Sequence, residues 1–296
     1  MVLAREGGSY RVLVEGIERT AVLRGKAKRE VDRAVAGDRV RFDPATLTED
    51  MLGIEGVEPR HSILERRIPG GRGTRAVAAN VDQVVVVTAA ADPLPIPQLI
   101  DRLLIVAEAN DIPAMVVVNK CDLASADPVI AHLEKAGYKV IATAAKTGVG
   151  IDLLRSRLVG KESVLTGPSG AGKSSLLNAL EPGLGLRVGE VSAKLRRGTH
   201  TTVTAAMIPL VEGGFVADTP GFSEVGVWAI DRAHLDECFP EFVPQVGSCR
   251  FDDCTHRTEP GCAVRALLDT NELNPERYAS YLAIFDELAT LPRDWE

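Results

Sequence analysis

The sequence predicts a multidomain α/β chain: a small N-terminal β-barrel, a central parallel sheet covered by helices, and a C-terminal helical module with metal-ligand spacing. Three observations carry this. Short β-rich pieces alternate with turn signals up to about residue 57, near-continuous apolar runs alternate with helical periodicity from residue 84, and three cysteines and a histidine cluster after residue 248. A length of 296 residues exceeds one ordinary core and favours two or three domains. Apolar residues make up 45% and charged residues 25%, which excludes a disordered chain or a disulfide scaffold. The apolar run Val84 to Ala91 is far below the roughly 18 residues of a membrane helix, so no membrane association is expected. The N-terminus lacks a signal-peptide pattern, and a cytoplasmic protein with reduced cysteines is expected.

The first pieces, Tyr10 to Val14, Thr20 to Arg24, Asp38 to Phe42 and Gly53 to Val57, have the spacing of an OB-like barrel assigned to residues 1–65. Residues 1–80 carry 15 Lys and Arg against 12 acids, and the remainder 19 against 29, so the N-terminal part tolerates a polyanion better than the body does. Arg24, Lys26, Lys28, Arg29 and Arg33 cluster in one connection, where they meet RNA phosphates or stand as a solvated face. Residues 66–75, rich in Gly and Arg, read as an exposed basic linker.

The central domain is assigned to residues 76–228. Val84 to Ala89, Ala114 to Val118 and Lys139 to Thr143 read as buried parallel strands. Between them, one helical face carries Leu99, Ile100, Leu103 and Leu104, and another Val129, Ile130 and Leu133; both are expected on the sheet. A helix over Ile151 to Leu158 precedes strand Ser163 to Thr166, and a hairpin from Ala205 to Ala217 completes the sheet. After Thr166 comes Gly167-Pro168-Ser169-Gly170-Ala171-Gly172-Lys173-Ser174, then Ser175 and a helical pattern, the strand–loop–helix context of G-x-x-x-x-G-K-[ST]. Such a loop wraps phosphates in backbone N–H groups, Lys173 neutralises β- and γ-oxygens, and the Ser174 hydroxyl can ligate Mg²⁺.

Asn119-Lys120-Cys121-Asp122 follows a strand and fits N-K-x-D. The Asp122 carboxylate can accept from guanine N1–H and N2–H₂ together, whereas adenine offers no such pair of donors. Ala144-Ala145-Lys146 resembles an S-A-K loop with Ala in place of Ser, which keeps a backbone donor for O6. Asp218-Thr219-Pro220-Gly221 fits D-x-x-G, with Asp218 near Mg²⁺ and Gly221 at the γ-phosphate, and Gly198 to Thr202 is a switch-loop candidate offering Thr201 and Thr202. These elements together indicate a GTPase. Their order is rotated: the base-reading motifs precede the phosphate loop, so the domain is circularly permuted. Phe222 stands where many small GTPases carry a water-positioning Gln, and His200 is the candidate for orienting water, with a merely structural histidine as the alternative.

In residues 229–296, Cys249-x₄-Cys254-x-His256-x₅-Cys262 has the ligand types of a closed structural Zn²⁺ site; three buried free cysteines and a surface histidine are the alternative. Asn274 and Pro275 open a helix with Tyr278, Tyr281, Leu282, Phe285 and Leu288 on its core face. The motif order, Ala79-Asn80-Val81-Asp82-Gln83 before the first strand, and His256-Arg-Thr-Glu-Pro-Gly-Cys262 resemble the circularly permuted GTPases of small ribosomal subunit maturation, the RsgA (YjeQ) family. The resemblance implies an OB domain, a permuted GTPase and a zinc domain that bind the small (30S) ribosomal subunit and its rRNA, with GTP hydrolysis stimulated by the subunit and timing release. It also implies one Zn²⁺ on Cys249, Cys254, His256 and Cys262, and Mg²⁺ with GTP. A monomer is expected. A guanine-nucleotide switch with negligible hydrolysis is the alternative function.

Overall fold

The computed structural model describes residues 1–25, 34–67, 74–184, 205–218 and 230–290. Lys26, Lys28, Arg29, Arg33, the switch loop with His200, Thr201 and Thr202, and Gly221 and Phe222 of the second switch lie outside them.

Among the described residues, thirteen strands and six α-helices follow one another: β1 (Val2–Glu6), β2 (Ser9–Val14), β3 (Ile17–Leu23), β4 (Val40–Phe42), β5 (Met51–Val57), β6 (Ile63–Arg67), β7 (Thr74–Ala79), β8 (Gln83–Ala89), α1 (Pro97–Glu108), β9 (Ala114–Asn119), α2 (Asp127–Leu133), β10 (Lys139–Ala142), α3 (Ile151–Leu158), β11 (Glu162–Thr166), α4 (Lys173–Leu180), β12 (Ala206–Pro209), β13 (Phe215–Asp218), α5 (Ala263–Asp269) and α6 (Pro275–Thr290). Eleven strands form one sheet in the order β10-β9-β8-β11-β13-β12-β1-β2-β3-β5-β4. From β10 to β13 the pairings are parallel. Alternate residues of β8 serve opposite cores: Val84 and Val86 pack with Leu103, Leu104, Val129 and Leu133, and Val85 and Val87 with Ile151, Leu154, Leu176 and Leu177. Burial on both faces is the reason these strands read as unbroken apolar runs. Ile130, expected against the sheet, is 40% exposed instead, because the short α2 turns Val129, His132 and Leu133 inward and Ile130 outward.

The N-terminal strands follow the order β1-β2-β3-β5-β4, with β3 and β5 parallel. Val2 N–H donates to Asp38 O at 2.8 Å and Gly37 N–H to Val2 O at 2.9 Å, which brings the chain before β4 back to β1. This ring encloses its own core of Val2, Tyr10, Val12, Ala21, Ala34, Leu52 and Ile54. β1, absent from the sequence reading, pairs antiparallel with β12 and so joins the ring to the central sheet. The expected basic linker begins and ends in strand: β6 and β7 pair antiparallel, with Arg66 opposite Arg75. That hairpin stands on the central core through Leu64 and on the end of α1, where Glu65 N–H donates to Asn110 Oδ1 at 3.1 Å.

The segment Asn80 to Gln83 is a joint. Buried Asn80 donates to Gly37 O at 2.9 Å and accepts from His61 N–H, tying the ring to the sheet. Asp82 exchanges two hydrogen bonds with the Glu162 backbone, and Gln83 Nε2 donates to Arg157 O and Ser163 Oγ. Arg39 of the ring meets Glu162 at 2.9 Å. Burial pushes the Glu162 carboxyl up to about 7, against the downward pull of Arg39.

The C-terminal region packs on the outer face of α1. Ile105 joins Phe239, Phe242, Leu273, Tyr281, Ile284 and Phe285 in one core. Fully buried Arg277 of α6 donates from Nη1 to Asp101 Oδ1 of α1 at 2.9 Å, and from Nε and Nη2 to the two oxygens of Glu241 at 2.7 and 2.8 Å. His132 Nε2 lies 2.8 Å from Asp101 Oδ1. Burial alone would raise the Asp101 carboxyl, but the His132 hydrogen bond and the Arg277 charge hold it below its ordinary value.

Arg277→Ala leaves two carboxylates buried without their cation, a loss of the kind that costs about 3–5 kcal/mol. Chemical denaturation should show that loss, while a surface control such as Lys139→Ala, at an exposed position, should not shift the midpoint. At Glu162, the native carboxyl holds its proton more tightly than its ordinary 4.5. Its contribution to stability is therefore complete below about pH 4.5 and lost as pH rises through about 7. Glu162→Gln, which cannot ionise, should lose less stability than the parent between about pH 5 and pH 8; parallel pH profiles would contradict the assignment.

Candidate nucleotide site and metal cluster

β8, β9, β10, β11 and β13 all end on one edge of the sheet, since they run parallel, and the loops that follow them gather there. Gly167 opens the phosphate loop at φ 144, where an added Cβ would stand 1.9 Å from Val87 O. Only glycine lets this turn pass so close to β8. Gly172, at φ 93, is the N-cap of α4, whose first residues are Lys173, Ser174 and Ser175. Lys173 Nζ folds back over the loop and donates to Gly167 O at 2.6 Å and Pro168 O at 3.0 Å. Ser169 and Gly170 are exposed, and Ala171 is buried beneath them.

Asn119, at the end of β9, is 1% exposed and joins three loops. Its Nδ2 donates to Ala171 O of the phosphate loop at 3.1 Å, and its Oδ1 accepts from Ala145 N–H at 3.1 Å. Thr143, which sequence reasoning did not single out, supports the arrangement: its hydroxyl lies 3.4 Å from Asn119 Oδ1, and its carbonyl accepts from Cys121 N–H at 3.0 Å. Ala144 N–H is taken by Val149 O, which folds the A-A-K loop into a turn. Asp122 and Lys146 stand exposed at the rim. Asp218, the first residue of D-x-x-G, pairs in register with Leu165, so β13 ends beside the strand that leads into the phosphate loop. Arg24, of the basic cluster, is paired with Glu49 at 3.2 Å.

In the C-terminal module, the ligand atoms of Cys249, Cys254, His256 and Cys262 lie within 4.8 Å of one another. The Cys249 and Cys262 sulfurs are 3.9 Å apart, and His256 Nδ1 is 3.5 and 3.4 Å from them. A tetrahedron with Zn–S of about 2.3 Å and Zn–N of about 2.0–2.1 Å has edges of about 3.8 and 3.5 Å, so the cluster fits one zinc ion. His256 Nε2 meets Asp236 Oδ2 at 3.1 Å, the outer-shell carboxylate that orients a ligating imidazole. Asp236 lies twenty residues upstream, and no spacing rule points to it. Ala263 N–H and Arg265 N–H point at the Cys249 and Cys262 sulfurs, at 3.3 and 3.4 Å, where they favour thiolates. Tyr278 and Tyr281 of α6 clasp the loop by donating to His256 O and Thr255 O.

Residues 57–228 match the RsgA GTPase family. The small ribosomal subunit biogenesis GTPase RsgA of Gemmatimonas aurantiaca is 47% identical over 296 residues, covering 97% of this chain and 96% of that protein. Its counterpart in Moorella thermoacetica is 42% identical, covering 99% and 98%. Among solved structures, YjeQ from Thermotoga maritima superposes with a TM-score of 0.81 at 34% identity, covering 98% of each chain. YloQ, a circularly permuted GTPase, gives 0.76 at 29% identity, covering 99% of this chain and 95% of its own. With its base-reading loop, phosphate loop and D-x-x-G strand gathered in permuted order on one sheet edge, the chain belongs to the RsgA GTPase family.

Proposed function

We propose that this protein hydrolyses GTP on the small ribosomal subunit during late maturation, with the subunit stimulating turnover and hydrolysis timing release. Full-length similarity to proteins named for small-subunit biogenesis supports the reading. The observation that carries it at the site is Asn119, whose one carboxamide holds the phosphate loop and both base-reading loops together. In this reading Asp122 accepts from guanine N1–H and N2–H₂, Lys120 lies along the ring, and Ala145 N–H transfers from Asn119 Oδ1 to O6. The backbone from Gly167 to Gly172 receives the phosphates at the start of α4, and Lys173 exchanges its two loop carbonyls for β- and γ-oxygens. Ser174, Thr201 and Asp218 are assigned to Mg²⁺, which neutralises charge developing on the phosphates. Thr202 and Gly221 are assigned to the γ-phosphate, and His200 to orienting the attacking water.

The N-terminal ring is assigned as an OB-like domain. Its five-strand order with parallel β3 and β5 suits that fold, and its basic connection, Arg24 to Arg33, is assigned to rRNA. Cys249, Cys254, His256 and Cys262 would hold zinc with four protein ligands and no open position, and the ion would supply folding energy to the C-terminal module, not chemistry. No helix of the described residues is long and apolar enough to cross a membrane. We assign the protein to the cytoplasm as a monomer.

Phosphate release from GTP should rise strongly with small subunits and not with large subunits, and ATP should not substitute. Tight GTP binding with no stimulation would favour the non-hydrolysing switch. Metal analysis of the purified protein should give one zinc per chain. Cys254→Ser should lower zinc content and the melting temperature together while leaving GDP affinity near that of the parent; a variant that keeps both zinc and stability would remove the ligand assignment.

A further inference from the structure

We propose that the Asp92–Pro93 turn, between β8 and α1, is a positioning element for Lys120 and thereby sets how long a guanine nucleotide stays bound. The inference rests on the guanine reading above. Lys120 follows the Asn119 anchor in a left-handed conformation, φ 61, so its side chain leaves the loop in a fixed direction. Its ammonium donates to the Asp92 backbone carbonyl. Its stem passes the phosphate loop: a Cβ on Gly172 would stand 4.0 Å from Lys120 Cε. Pro93 packs on the same loop, its Cδ 3.2 Å from the place a Cβ on Gly170 would take. Ala90 N–H donates to Asn119 O at 2.8 Å, so the turn departs from the very residue that precedes Lys120.

These contacts close a small circuit from Asn119 through Lys120, Asp92, Pro93 and the phosphate loop back to Asn119. A lysine stem laid along a ring face buries its methylenes while its ammonium stays polar. When that stem is free, the incoming base must order it, and the ordering weakens binding. Here the Asp92 carbonyl has already fixed it. Leu94 and Ile96 of the same turn stand 75% and 55% exposed. The turn therefore acts through the Asp92 carbonyl and the Pro93 ring, and Pro93 is the residue whose replacement loosens it.

The test is release of methylanthraniloyl-GDP, with Mg²⁺, from the parent, Pro93→Ala, Lys120→Ala and the double variant. Each single change should speed release at least about twofold, the low end of coupling between contacting residues, and the double variant should be no faster than Lys120→Ala alone. Multiplying effects would overturn the proposal, because Pro93 would then prop the phosphate loop independently of Lys120. Unchanged release from Pro93→Ala would overturn it as well. Should Pro93→Ala melt early, Asp92→Gly replaces it, since it keeps the carbonyl but frees a turn held at φ 46. Failure of the parent to bind the probe would instead strike the guanine reading itself.

Discussion

Two-sided burial of the parallel strands is the constraint from which the architecture follows. The central strands β8, β9 and β11 are buried along their whole length or nearly so, with apolar runs that must be covered on both faces, and helices from the connections between strands supply the cover. Parallel strands then deliver every connecting loop of one kind to one edge, and the candidate nucleotide site is made of those loops. Cyclic order of the chain does not enter this argument. A sheet whose central strand β11 is reached late in the sequence places its phosphate loop beside Asn119 just as well as one in which that strand came first.

A second layer of order comes from α1, which is covered twice. Leu103 and Leu104 face the sheet, while Ile105 faces the C-terminal core. Asp101, on the same buried helix, is tolerable only because Arg277 and His132 reach it, and Arg277 in turn is satisfied by Glu241. Buried charges of this kind add little net stability, since desolvation offsets their attraction. Their effect is on placement: a carboxylate on α1, an arginine on α6 and a carboxylate in the segment between meet in only one docking of the C-terminal module.

Much of this was legible in the sequence because it rests on local rules. Helix Ile151 to Leu158, the strand at Ser163, the phosphate loop and the clustered Cys249, Cys254, His256 and Cys262 all announce themselves by periodicity or spacing. What escaped depends on contacts between distant segments. β1 has no strand signal stronger than its neighbours' and gains its place from β2 and β12 together. The Gly- and Arg-rich stretch reads as linker because glycine dominates its composition, yet the residues at its two ends pair across it and dock through Leu64. Thr143 and Asp236 serve through a neighbour's side chain, and a residue that only steadies another leaves no pattern of its own.

The seam between β1 and β12 has a consequence for synthesis. A chain emerging from its N-terminus makes the small ring first, then β8, β9 and β10, which can pair as they appear. β11 adds to the open side of β8, and for the time it takes to make some fifty more residues its own far side has no neighbour. β1 waits still longer for β12. The hairpin β12–β13 is thus the keystone: until it slides between β11 and β1, two unpaired strand edges face water, and both close in a single step once β13 has been made.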